Sequence, residues 1–257
     1  MVLVAGTEFA SVRLPPCARF ETPRAVATSH PSWYPVVNSS PPGRCSLIAT
    51  SLGGCFFVMR AIVLIDGQNL FHLAKSAWTT QGARVHTPYD WPSYDVRKLA
   101  NALTNRLPDR RLVEIRFYTG VPNPRFGGKE RRWYEFWNNK LRNLRQQGIY
   151  VYRGRVSRGL QEKGVDVSLA IDLVQATHEA RYDCAIIVSQ DWDFGPAARL
   201  AKSIANTQGR NIEIESAFPF GPGSSSKRGV PNTNWVQIDQ STYDSCFDPT
   251  DYRPKNR

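Results

Sequence analysis

Cysteine and histidine are scarce in this chain of 257 residues, with five of the first and four of the second. The cysteines stand at 17, 45, 55, 184 and 246, with no CxxC pair and no paired-ligand spacing. That pattern gives no support to a zinc site or a disulfide framework, and it points to a reducing, cytoplasmic compartment. Four histidines supply a histidine-based metal site poorly. Long apolar runs are also missing: no stretch of about 18 uncharged apolar residues occurs, which excludes a membrane-spanning helix. Acidic residues are outnumbered, 22 Asp and Glu against 33 Lys and Arg, for a net charge of +11. An excess of that sign favours an anionic partner such as nucleic acid. What is present suffices for a core. Hydrophobic residues make up 41% and charged residues 21%, which suits one large α/β domain or one domain plus a tail.

Methionine occurs only at Met1 and Met59. Residues 1–58 hold seven Pro and four Arg, no Lys and no Asp, and show no sustained apolar period. Ser39-Ser40-Pro41-Pro42-Gly43 breaks any element there. The reading predicts a disordered or mis-called extension over 1–58, with Met59 as the natural start. A targeting segment is the rival, since Leu52-Gly53-Gly54-Cys55 looks like a lipoprotein cleavage box. About 45 residues precede its weak apolar run, too many for a usual signal peptide. The folded domain is then predicted over 59–247, with a tail over 248–257.

From 60 onward strands and helices alternate. Ala61–Ile65 is a short continuous apolar run, the mark of a strand buried on both faces. Leu70–Trp78 reads as a helix, and 79–94 as a loop. Val96, Leu99, Ala100, Leu103 and Leu107 recur at helical spacing up to Pro108. Leu112–Thr119 is a second strand. Trp133, Trp137, Leu141 and Leu144 form the apolar stripe of a helix from about 129 to 147, closed by Gly148. Ile149–Tyr152 is a third strand, Val165–Ala176 a helix and Cys184–Val188 a fourth strand. Pro196 suits the start of a helix that runs to Thr207, and Ile212–Ala217 is a fifth strand. Residues 219–234, rich in Gly, Ser, Pro and Asn, read as a mobile surface loop. This alternation predicts a three-layer α/β/α architecture around a central, mostly parallel sheet.

In such sheets ligands bind beyond the carboxyl ends of the strands. Asp66 ends the first strand. Asp191 and Asp193 follow the fourth, and Asp166 opens the helix before it. Asp172 lies six residues along that helix, about 120° round from Asp166, and is the weaker candidate. Carboxylates gathered in one pocket repel each other unless a cation sits between them. With no His or Cys nearby the fitting cation is hard, Mg²⁺ or Mn²⁺. Such a site activates water and stabilises charge on a phosphate oxygen. Asn69 could orient a water or a phosphate through its amide. Plainer roles exist: Asp66 and Asp191 could cap the elements that follow them, and Asp166 could favour its helix N-terminus.

Ile62-Val63-Leu64-Ile65-Asp66-Gly67-Gln68-Asn69, Glu162-Lys163-Gly164-Val165-Asp166 with Asp172, and Ile187-Val188-Ser189-Gln190-Asp191-Trp192-Asp193-Phe194 resemble the three signature blocks of NYN domains. These belong to the LabA-like branch of the PIN-like nuclease superfamily. The resemblance runs from about 60 to 217, in family order. It implies a central parallel sheet, an acidic metal pocket and metal-dependent endonucleolytic cleavage of RNA. It also implies metal ligation by Asp66 and Asp166, completed by Asp191 and Asp193, with Asn69 as their polar neighbour in the catalytic set.

Between Arg125 and Lys163 eleven Lys or Arg face three Glu. Arg131, Arg132, Arg142 and Arg145 lie off the apolar stripe of their helix, and Arg153, Arg155 and Arg158 follow the third strand. Arg131, Arg132, Arg153, Arg155 and Lys163 are the candidate contacts to an RNA backbone. Trp133 and Trp137 are expected in the core, while Tyr134 and Phe136 could stack on bases. The function read from the sequence is a Mg²⁺- or Mn²⁺-dependent endoribonuclease, with room for a homodimer and no membrane partner. The alternative is a non-catalytic RNA-binding or regulatory module of the same fold. A haloacid-dehalogenase-like phosphatase would need Asp at 68, where Gln stands. A Toprim-like domain would want Glu at 66.

Overall fold

Ala61, Ile62, Val63, Leu64 and Ile65 are all fully buried, as a strand with neighbours on both edges and helices on both faces requires. The computed structural model describes residues 47–49, 55–79, 87–156 and 162–254. The expectations for 1–58 therefore lie almost wholly outside the described residues. What is described there includes an antiparallel ribbon of β1 (Leu47–Ala49) and β2 (Cys55–Phe57).

The main sheet is built from β3 (Met59–Asp66), β4 (Arg110–Val121), β5 (Tyr150–Val156), β6 (Glu162–Lys163), β7 (Cys184–Val188), β8 (Glu213–Pro219) and β9 (Asn234–Ile238). Their order is β6-β5-β4-β3-β7-β8-β9. Six strands are parallel, and only the two-residue edge strand β6 runs against its neighbour. The chain moves outward from β3 through β4 to β5, then crosses back to β7 on the other side. The order of strands thus reverses between β3 and β7.

The helices are α1 (Gly67–Trp78), α2 (Val96–Thr104), α3 (Gly128–Gln146), α4 (Val165–His178), α5 (Gly195–Thr207) and α6 (Gln240–Ser245). Side chains alternate along β3 and so feed two cores. Ala61, Val63 and Ile65 pack with α1, α2, α3 and α6, while Ile62 and Leu64 pack with α4 and α5. Each buried branched side chain of this kind contributes about 1.5–3 kcal/mol. The three-layer α/β/α expectation is met.

Several local expectations need correction. The helix predicted up to Leu107 ends at Thr104, and Leu107 is exposed. The turn over 105–109 comes early because Arg110 must enter the sheet and the residue before Pro108 is barred from helical geometry. The stretch 219–234 is packed down rather than loose. Val230 is fully buried, its N–H donates to Ser216 Oγ (3.0 Å), and Gly223 N–H donates to Ala77 O (3.1 Å). β9 and α6 were not anticipated. Residues 248–252, assigned to a tail by the sequence, lie against the domain. Asp248 N–H donates to Ser93 O (2.7 Å), Asn139 Nδ2 donates to Tyr252 O (3.2 Å), and Tyr252 is buried.

Phe136 is also corrected. It is 3% exposed and packs against Trp91, Trp133, Trp137 and Tyr252, so it cannot offer a face to a base. Trp137 is core as expected, and Trp133 is half-buried against Trp91, ring centroids 4.5 Å apart.

Candidate functional site

A parallel strand buried from end to end can place a polar group only where it stops. β3 stops at Asp66, which is 4% exposed. Its Oδ1 accepts from Asn69 N–H (3.0 Å) and caps α1. The plainer reading of Asp66 as a cap is therefore correct, and it also fixes the carboxylate in place. Gly67 must follow. A Cβ there would lie 2.4 Å from Phe117 Cζ, and that ring is buried. Tyr94 Oη donates to Gly67 O (3.0 Å) and holds the turn from the other side. Gly67→Ala is expected to cost about 1–3 kcal/mol through overpacking, read as a lowered thermal midpoint. An unchanged midpoint would mean that the turn relaxes freely.

β7 ends one strand away at Val188, and three residues then build a second wall. Ser189 is buried. Its Oγ accepts from Asp191 N–H (3.1 Å) and donates to Asp66 Oδ2 (3.5 Å). Ser189 O accepts from Ser216 Oγ (2.7 Å), so the wall is tied to β8 as well. Asn69 Oδ1 accepts from Gln190 N–H (3.1 Å), which ties α1 to the same wall. Asp191 Oδ1 accepts from Asp193 N–H (3.0 Å) and caps the short 3-10 turn Trp192–Phe194. Phe194 anchors that turn in the core.

Asp166 lies in the first turn of α4, and α4 packs beside the same 3-10 turn. Its carboxyl holds its proton more tightly than an ordinary Asp. Partial burial is the main cause, followed by the negative charges of Asp191 and Asp193. The three carboxylates therefore sense each other across the end of the sheet. Asp172 does not join them. Its Oδ2 accepts from Arg116 Nη1 (2.7 Å) and Tyr118 Oη (2.7 Å), so it clamps α4 to β4.

Asp66, Asn69, Asp166, Asp191 and Asp193 thus gather at one rim, at the reversal of strand order between β3 and β7. Their donor set is oxygen only, which suits a hard divalent cation. Among the described residues no three His, Cys, Asp or Glu side chains form a ready metal cage. Mg²⁺ does not need one, because it retains waters and binds through one or two carboxylates plus phosphate oxygens. The residues fit such an ion by donor chemistry and by their mutual repulsion.

The basic residues divide. Arg153 and Arg155 are exposed near the carboxyl end of β5, and Arg155 pairs in register with Lys163 on β6. Arg153 lies over the ring of half-buried Tyr134, 5.2 Å from its centroid. α3 starts just beyond the carboxyl end of β4, so Arg131 and Arg132 in its first turns are near the rim. Arg131 is exposed and pairs with Glu135 (3.0 Å). Arg142 and Arg145 lie on the last turns of this 19-residue helix, about 21–26 Å from its start.

Sequence reasoning missed Ser189 and Ser216, which connect the walls, and Trp192, which is 54% exposed on the 3-10 turn. The two serines carry no motif that marks them. Trp192 stood between two candidate aspartates, and its exposure was the absent information.

A family model described as NYN domain matches residues 60–214. No curated protein matches the chain. A crystal structure of a protein of unknown function from Vibrio parahaemolyticus is similar, with 16% identity and a TM-score of 0.47. That similarity covers 71% of this chain and 94% of the other.

Proposed function

The chain belongs to the NYN domain family, within the PIN-like nuclease superfamily, and on that premise we propose that it is a Mg²⁺- or Mn²⁺-dependent endoribonuclease of the LabA-like branch. The observation that carries the proposal is the shared rim. Asp66, Asp166, Asp191 and Asp193 come from three separate stretches of sequence, and Asp166 responds to the charges of Asp191 and Asp193. A protein that only bound RNA would gain nothing from clustered negative charge where phosphates must approach.

In this reading Asp66, Asp166, Asp191 and Asp193 would line the cation's pocket, one or two of them ligating it directly and the others acting through its waters. When bound, the cation supplies water activation and neutralises charge developing on a phosphate oxygen. Asn69 has its Oδ1 committed to Gln190 N–H, which aims its Nδ2 donors elsewhere and suits them to a phosphate oxygen or a water. Arg153, Arg155 and Lys163, with Arg131 and Arg132, position the RNA backbone from the β5 side. Water adds to phosphorus and one bridging P–O bond breaks, leaving one strand end with the phosphate and the other with a hydroxyl.

The alternative, a regulatory RNA-binding module, draws on one observation. Asp66 and Asp191 both serve as caps, a role that needs no chemistry. The full chain incubated with end-labelled RNA should cleave it internally in Mg²⁺ or Mn²⁺ and not in EDTA. RNA binding without cleavage in either metal would favour the module.

A further inference from the structure

Trp192 is a large apolar side chain exposed on a backbone that has little freedom. On its N-terminal side Asp191 is bonded to Ser189 Oγ through its N–H and to Asp193 N–H through its carboxylate. On its C-terminal side Phe194 is buried and Gly195 N–H donates to Trp192 O. No ring of the described residues stacks on the indole. The same turn also fixes a basic loop. Gln190 Nε2 donates to Ser226 O (3.2 Å) and to Arg228 O (3.0 Å), and Arg228 N–H donates to Ser226 Oγ (3.1 Å). Lys227 and Arg228 are exposed, and neither is in a salt bridge among the described residues. One glutamine thus brings two cations that form no such ion pair against the turn that presents an open indole face, Lys227 Nζ lying over the Phe220 ring at 5.9 Å from its centroid.

We infer that Trp192, Lys227 and Arg228 form a nucleotide subsite. The indole would stack on an unpaired base, and the two cations would take the phosphates that flank it. The inference rests on the RNA reading and adds a second, opposite approach to the rim. Arg153 and Arg155 stand on β5, while Gln190 follows β7. These strands are three sheet spacings apart, about 14 Å, with Asp66 on β3 between them. A single strand crossing the carboxyl edge of the sheet would be held on both sides of the carboxylates. A duplex offers no open base face to Trp192, so single-stranded RNA is the class of ligand.

The test measures binding of fluorescein-labelled single-stranded oligouridylate and oligoadenylate, and of a matched RNA duplex, to the full chain in EDTA. Cleavage in Mn²⁺ is followed in parallel. Trp192→Ala should weaken single-strand binding about tenfold or more and leave duplex binding nearly unchanged. Trp192→Phe should recover most of the loss, because a ring remains. Lys227→Ala with Arg228→Ala should lower the slope of log affinity against log salt by about 1.4. Arg145→Ala, on the last turn of α3, serves as the remote basic control and should leave base-dependent binding intact. Equal weakening by Trp192→Ala and Trp192→Phe, or no weakening by either, would overturn the subsite. If the wild-type chain cleaves while these variants bind and cleave as it does, the subsite fails and the nuclease stands. If no metal supports cleavage while Trp192→Ala still loses single-strand binding, the nuclease fails and the subsite stands.

Discussion

Asp191→Asn should lower RNA cleavage about a thousandfold at saturating Mg²⁺, the scale of loss when one preorganised electrostatic group is removed from a reacting centre. The substitution is selective for physical reasons. Asn keeps the side-chain oxygen that accepts from Asp193 N–H, and Asn caps as well as Asp. The 3-10 turn and the buried Phe194 behind it should therefore stay in place, and the thermal midpoint should be unchanged. What disappears is one negative charge. Asp166 reports that loss directly, because the charge of Asp191 is among the causes that raise its proton affinity. In the variant the carboxyl of Asp166 should titrate at lower pH, with the residual elevation due to burial and Asp193. Single-turnover cleavage and a carboxyl-selective NMR titration check the two halves separately. Retained cleavage together with a shifted Asp166 would show that the carboxylates are coupled but that Asp191 is not needed for the reaction.

How much of this was legible in the sequence depended on the range of the interactions involved. β3 and β7 could be read because a strand buried on both faces needs an unbroken apolar run, and Ala61–Ile65 and Cys184–Val188 supply it. The rim carboxylates could be read for a related reason: a parallel sheet collects residues from the ends of its strands at one edge, wherever they fall in the chain. The packing of 219–234 could not be read. It depends on contacts such as Gly223 N–H with Ala77 O, between backbone groups about which side-chain type says nothing. β9 has only five residues and alternates weakly, with exposed Trp235 beside buried Val236. Phe136 and Trp133 sit three positions apart on α3, and the sequence stripe assigned the greater burial to the larger ring. Trp91 and, from the returning C-terminal segment, Tyr252 pack against Phe136 and put it inside instead. Lys140 was counted as one positive charge among eleven. A lysine on an amphipathic helix ordinarily keeps its ammonium in water, and only the fold shows that this one does not.

Lys140→Met should lose a pH dependence of stability that the wild-type chain possesses. Lys140 is fully buried on α3. Its Nζ donates to Pro92 O (2.8 Å) and Tyr94 O (2.7 Å), lies 3.5 Å from Asp248 Oδ2, and faces the rings of Tyr94 and Tyr252. Burial is the largest influence on the ammonium and lowers its pKa to about 8, against the opposing pull of Asp248. In the unfolded chain the group titrates near its ordinary value of about 10.4. Between these two values the unfolded state binds more protons than the folded one, so stability must rise with pH across that window. The stability is fully present above the unfolded pKa and is lost as pH falls through about 8. Its size is about 3 kcal/mol. Deprotonation does not orphan the two carbonyls, because a neutral amine still has two N–H groups for them. Methionine has none, so Lys140→Met should cost about 2 kcal/mol near pH 7 from two unsatisfied buried acceptors. That cost should grow toward pH 10.5, as the wild-type chain gains stability and the variant does not. Taking the difference between the two chains cancels the tyrosines and cysteines that titrate over the same range. Urea denaturation of both proteins at several pH values across this window measures the difference. A constant gap would mean that the ammonium keeps its ordinary proton affinity inside the fold. A widening gap would show that the charge of this buried lysine works against folding, while its bonds to the carbonyls of Pro92 and Tyr94 hold in place the residue whose hydroxyl reaches Gly67 O.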